Sequence, residues 1–454
     1  MRTVSRRQVL RGGAAIAGAQ LVAPLVFRAG QAAAFTPPDP ATQNRLRLVL
    51  IDLFGGNDGL NTVVPQSGTM RAVYDKVRPT VNIPTSALTL TTLGPTNGGV
   101  VALNPYLKTV KSLWDSGRVA IVQGADYPNH DYSHFVSDDV WQSGEPGQAP
   151  DSGWLGRHLD RVRVGTGELR GVGIGYDRLP LALRGLTVLG EEINSLGETQ
   201  FTDGGQTGVA GLRHKAYAGY DAAPDPVEHY YGSRCRGALD LAEATAGLST
   251  VAPGGISNAL MTARTLLTKN LGVEVVVIGS GGYDTHDNQL ARHQALMTDL
   301  DLGIETFLFG TRNGNPVLNG VTPIGPLDPQ VAARTLIMTF SEFGRRIGDN
   351  ANGTDHGAAG PMFLVGPPPP APGSGAVTLV PGLHGDHPDM GSTTLPADNL
   401  GMTTDIRTVY QAVLQNWLND PTGPYQDEGD PLFTTVSGTG VDSQGALTGL
   451  FGVA

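Results

Sequence analysis

Three observations predict an α/β fold, with a mostly parallel central sheet sandwiched between helices and carrying loop or lid insertions. Residues 45–53 (RLRLVLIDL), 274–278 (EVVVI) and 335–340 (TLIMTF) are short apolar runs rich in Leu, Val and Ile, the pattern of strands buried on both faces. Long amphipathic stretches separate them, as crossover helices must. Each run ends in a glycine-bearing loop with Asp, Glu, Asn or His, where open α/β sheets gather their ligands.

In chain order, the first run opens into Gly55, Gly56, Asn57, Asp58, Gly59, Leu60 and Asn61. Glycines allow close approach to a ligand, but the Lys-Ser/Thr pair of a phosphate-cradling loop is missing. The alternative is a plain turn in which Asp58 and Asn61 bond their own backbone. Residues 103–114 have a helical pattern, with Leu107, Val110, Leu113 and Trp114 on one face, and residues 118–124 (RVAIVQG) form another strand. Ser133 then stands at the N-cap of a helix, HFVSDDVWQ. It either caps the helix or acts as a nucleophile whose developing charge meets the helix dipole. His130 and His134 flank it, as structural groups or as substrate contacts. Residues 150–230 read as a lid or insertion. Residues 258–270 are a helix, and a long helix over 288–309 places Leu290, Leu296, Leu300 and Ile304 near one face. The prolines at 367–370 mark an exposed loop, residues 377–380 a last short strand, and residues 405–417 a closing helix capped by Thr403 or Thr404.

The 454 residues are read as a targeting segment, 1–34, and a single domain, 35–454. Ser5-Arg6-Arg7-Gln8-Val9-Leu10 is a twin-arginine sequence before a mildly apolar stretch, and Ala32–Ala34 supplies small residues for cleavage. Export through the twin-arginine translocation machinery is therefore expected, to a periplasmic, cell-wall-associated or secreted location. Removing five arginines and no acids takes the net charge from −11 to −16, which argues against nucleic acid as a partner. No apolar run in the mature chain would make a stable membrane span. Cys235 is the sole cysteine, so no internal disulfide is available.

The strand-end residues suggest metal chemistry. Asp284 and His286 follow one strand, Glu342 ends another, Asp355-His356-Gly357 lies beyond it, and His384 and His387 come later. Imidazoles and carboxylates together bind zinc, manganese and similar ions, and two such ions could stabilise the attacking and leaving oxygens of a phosphoryl-type transfer.

GGNDGLNTVVP, SHFVSDDVWQSG, GWLGRHLD, GGYDTHDNQ, TFSEFGRR and GTDHG resemble the exported bacterial domain-of-unknown-function family 1501, grouped with the alkaline-phosphatase and sulfatase-like clan. The resemblance runs from about Leu48 to Trp417. It implies an alkaline-phosphatase-like fold and two divalent metal ions. Asp284 and His286, with His384 or His387, resemble one metal site of the clan; Asp355 and His356 resemble the other. The acid after the first strand is Asp52 or Asp58, Glu342 is a ligand or orients one, and Ser133 takes the nucleophile's place. The function implied is hydrolysis of a phosphate ester, or secondarily a sulfate ester, with Asn57, Asn61 and His134 touching substrate. Cys235, in SRCRGAL, lacks the Cys-x-Pro-x-Arg pattern of formylglycine sulfatases. A catalytically degenerate metal- or ligand-binding secreted protein of the same fold is the alternative.

Overall fold

The computed structural model describes residues 45–146, 150–162, 170–185, 191–193, 255–269, 272–319, 321–390, 398–420 and 446–454, with a few isolated positions between 219 and 228. Residues 1–34, expected to be a targeting segment, and Cys235 lie outside the described residues.

Nine strands form the central sheet: β1 (Arg47–Leu53), β2 (Val119–Asp126), β3 (Gly171–Ile174), β4 (Glu191–Ile193), β5 (Val275–Ser280), β6 (Thr335–Phe340), β7 (Gly360–Val365), β8 (Gly382–His384) and β9 (Thr404–Asp405). Their order is β8-β2-β7-β6-β1-β5-β3-β4, with β9 pairing to β2 beyond β8. Every pairing is parallel except the two made by β7. The α/β class with a mostly parallel sheet is thus observed.

Alternate residues of each strand feed separate cores. Val49, Ile51, Val276, Ile278 and Ile337 pack with α3 (Lys108–Asp115), α6 (Gly255–Thr268) and α7 (Gln289–Phe309). Leu48, Leu50, Val275, Val277 and Met338 pack on the other face with α4 (His134–Ser143), α5 (Trp154–Arg161) and α8 (Ile406–Ala412). The period-two side-chain alternation of a strand puts every second residue into each layer. On the first face α1 (Gly59–Thr62) and α2 (Gly68–Val77) lie beside a small antiparallel sheet of Val63–Pro65, Thr92–Thr96 and Gly99–Leu103. On the second, Trp154 stacks on Tyr410 at 4.3 Å, and Trp417 Nε1–H donates to the Arg47 carbonyl at 3.0 Å, fixing the last helix to the start of β1.

Several expectations change. Leu103 ends a strand, and the helix starts at Lys108, after a turn in which Asn104 Oδ1 accepts the Tyr106 amide. Residues 171–174 and 191–193, expected in a lid, extend the central sheet. Val377–Leu379 pairs with Phe451–Val453 in a separate ribbon. The closing helix is capped by Asp405, whose side chain accepts from the Arg407 amide. Leu290 is exposed; the buried stripe of α7 runs through His293, Met297, Leu300 and Ile304.

At the amino ends of the strands, His158 is buried between Asp420 (Nδ1 to Oδ2, 2.8 Å) and Glu274 (Nε2 to Oε1, 3.2 Å). Burial lowers the imidazole pKa, but hydrogen bonds to both carboxylates outweigh it and the net direction is upward. A folded-state pKa above the unfolded value of about 6.5 stabilises the fold fully below the unfolded value. That contribution disappears as pH rises through the folded value. Urea midpoints should therefore fall over this window, and the step should vanish in His158→Gln.

Candidate metal centre

The loops after β1, β2, β5 and β6 all open at the carboxyl edge of the sheet. Side chains from the last three meet at one cluster, which the loop after β1 supports through its Gly55 and Gly56 amides.

His134 is the first residue of α4. Its Nδ1 lies 2.7 Å from Glu342 Oε1, so Nδ1–H is the donor and Nε2 is left free on the side of Asp284. His356 follows the loop after β6. Its Nδ1 lies 2.9 Å from the Tyr132 carbonyl, again committing Nδ1–H and freeing Nε2. Burial holds the His356 imidazole below its ordinary pKa. His286, after β5, has Nδ1 3.4 Å from Asp355 Oδ1. All three rings thus turn Nδ1 to an oxygen acceptor. Metal-binding histidines are oriented in this way, by an acceptor on the other ring nitrogen.

The Nε2 atoms converge on Asp284. His286 Nε2 is 3.0 Å from its Oδ1 and His356 Nε2 is 3.4 Å from the same oxygen; His134 Nε2 is 3.8 Å from Oδ2. His286 and His356 bring their Nε2 atoms to 3.0 Å of each other. Two imidazole nitrogens at this distance share a proton or a cation, and imidazoles beside a carboxylate are a donor set that fits a divalent cation. His134, Asp284 and His356 each offer an atom within 4.8 Å of the others, with His286 beside them. Burial would raise the Asp284 carboxyl pKa, but the Arg345 hydrogen bond and charge, helped by His286 and His134, hold it below the usual range. Asp355 is lowered too, chiefly by the Asn350 hydrogen bond. Phe343 lies against the rings of His134 (4.8 Å) and His356 (4.7 Å) and limits their rotation.

Other expected site residues are engaged elsewhere. Asp58 is fully buried, with both oxygens on Arg78 Nη1 (2.9 and 2.7 Å) and a further bond from Gln289. That buried pair leaves it no open coordination position. Asn57 bonds Thr62 and His293, while Asn61 bonds the Val81 carbonyl, Tyr74 and Arg78. Both amides are buried and hold the loop instead of facing substrate. Asp52 points to the other face of the sheet and accepts from Tyr176 OH at 3.1 Å. Burial first, then the charges of Asp138 and Glu342, push its carboxyl well above the usual range. Glu342 accepts the Gly55 and Gly56 amides at 2.7 and 3.1 Å as well as His134, so it orients a ligand. His384 Nε2 turns to the Val380 carbonyl and His387 Nδ1 to the Pro388 carbonyl. Among the described residues the expected ligands therefore make one cluster that could hold a cation, not two.

Ser133 occupies the N-cap position of α4, but its hydroxyl makes no capping bond. Its neighbours on both sides join the cluster, through the Tyr132 carbonyl and the His134 ring. Sequence reasoning gave His134 a substrate role and overlooked Tyr132, Phe343 and Arg345. The signal for Arg345 was present: a guanidinium two residues past Phe343, just beyond a buried strand.

No protein-family model matches the chain, and no curated protein matches it. Among solved structures it is similar to the lipoteichoic acid synthase LtaP from Listeria monocytogenes, with 9% identity and a TM-score of 0.29, over 87% of this chain and 76% of that one. At that distance the likeness bears on neither chemistry nor substrate. Among the described residues no helix is long and apolar enough to cross a membrane.

Proposed function

We propose that the chain is a metal-dependent hydrolase of phosphate esters, with sulfate esters as the secondary class. The observation that carries this reading is the set of three imidazoles with Nδ1 committed to acceptors and Nε2 turned toward one carboxylate. His134, Asp284, His356 and His286 would hold the cation. Bound there, a zinc, manganese or similar ion polarises an ester oxygen and neutralises developing charge.

The chain's own groups do the rest. Ser133, at the amino end of a ten-residue helix, is the nucleophile, and the free N–H groups and dipole of that helix favour the charge it develops. Glu342, Asp355 and the Tyr132 carbonyl keep the imidazoles in the tautomer that turns Nε2 inward. The motifs that build the centre are those resembling family 1501, and that membership, an alkaline-phosphatase-like relationship and export by the twin-arginine route belong to the same proposal.

One observation favours a degenerate binding protein instead. Asp58 is occupied by Arg78 and Asp284 by Arg345, so one cluster stands where the sequence suggested two. Elemental analysis with a phosphate-ester assay separates the readings. Hydrolysis expects about one equivalent of divalent metal and turnover that drops by roughly 10³-fold or more in Ser133→Ala. Metal without turnover on either ester class would leave the binding protein. No metal after reconstitution would sink both metal-centred readings.

A further inference from the structure

The two sides of the centre meet at a single dipeptide. The Gly55 and Gly56 amides donate to the two carboxylate oxygens of Glu342, which holds His134. Their carbonyls face the opposite way and accept from Arg345: Nε to Gly56 at 2.7 Å, and Nη2 to Gly55. The same guanidinium reaches Asp284 Oδ1 at 2.6 Å, the Tyr283 carbonyl at 3.2 Å and the Thr354 carbonyl at 3.0 Å. One fully buried side chain therefore ties together the loops after β1, β5 and β6. The backbone requires glycine here. Gly55 has φ +122°, and a Cβ on it would lie 2.3 Å from the Asp284 amide nitrogen; one on Gly56 would lie 2.3 Å from the Phe343 ring.

We propose that Arg345 is the positioning residue of the cation centre, acting with Glu342 through the Gly55–Gly56 peptide to set Asp284 and His134 in place before any cation arrives. The proposal rests on the metal-centre reading above. A lysine keeps the charge at 345 but is a point donor, whereas the guanidinium is a planar fork matched to several acceptors at once. Arg345 also occupies Asp284 Oδ1, leaving Oδ2 as the oxygen free of the guanidinium.

The test titrates cobalt(II) into the cation-free wild-type chain, Arg345→Lys, Glu342→Gln and the double variant, following affinity and visible absorption. We expect Arg345→Lys to weaken cobalt binding by roughly 10–100-fold, the usual cost of losing a group that orients a ligand, and to alter the absorption bands. The double variant should lose less than the product of the single losses, because the two residues act through one peptide. Unchanged affinity and spectrum in Arg345→Lys would overturn the proposal and leave the metal centre standing. A wild-type chain that binds no cobalt would overturn both.

If Arg345→Lys does not fold, hydrogen exchange of the wild-type chain decides. Gly55 and Gly56 amides already protected without cation support a preassembled centre. Amides that exchange freely and slow only when cobalt is added overturn it.

Discussion

Arg78→Met should destabilise the chain by about 3–5 kcal/mol, the range for removing one partner of a buried ion pair. Both side chains of the Arg78–Asp58 pair are inaccessible. The guanidinium also donates to the Ile347 and Arg346 carbonyls at 2.7 Å each, joining the loop after β1 to the loop after β6. Methionine would fill much of the volume while leaving Asp58 without its counter-charge. Since native stability is about 5–15 kcal/mol in total, the loss should appear in urea unfolding as a large drop in midpoint. Pairing the change with Asp58→Leu should recover part of it, because an apolar pair avoids burying a lone carboxylate. A loss below about 1 kcal/mol in the single variant would mean that the pair is not the brace described.

His134→Ala should weaken divalent-cation affinity by about 100-fold or more, because removing a ligand costs at least what losing its orienting partner costs. It should leave the fold in place, since the ring is partly accessible and packs at the cluster surface. Isothermal titration with zinc alongside far-ultraviolet circular dichroism separates these outcomes. His384→Ala is the control: its ring bonds the Val380 carbonyl at the sheet edge, and zinc affinity should not move. Equal affinity in wild type and His134→Ala would remove His134 from the centre.

The difference between Asp58 and Asp284 shows where sequence reading reached its limit. Both follow a buried strand and a glycine pair, so their local signatures agree. Each gains an arginine partner, and what separates them is burial: Arg78, twenty residues on at the end of α2, closes over Asp58, while Asp284, paired with Arg345, remains about half exposed. His134 has the same difficulty in reverse. Its orientation is set by a carboxylate 208 residues away, which no local pattern encodes. The strands β1, β2, β5 and β6 were legible because an apolar run long enough to be buried on both faces has few other uses. β7 (GPMFLV) was hidden by its opening Gly-Pro, which reads as a turn, and β8 by being three residues long. The cluster that could hold a cation lies beyond strand ends, yet its membership depended on contacts between loops distant in sequence.

That distance has a consequence in time. The glycine peptide after β1 is bound by Glu342, 287 residues further along the chain. At synthesis rates of about 5–20 residues per second, roughly 15–60 s separate the emergence of the two. For most of that interval β1 has neither of its sheet neighbours complete, because β5 and β6 both come from the later half. The first strand of the sheet is among the last to be enclosed, and the candidate cation site is complete only once synthesis has passed His356.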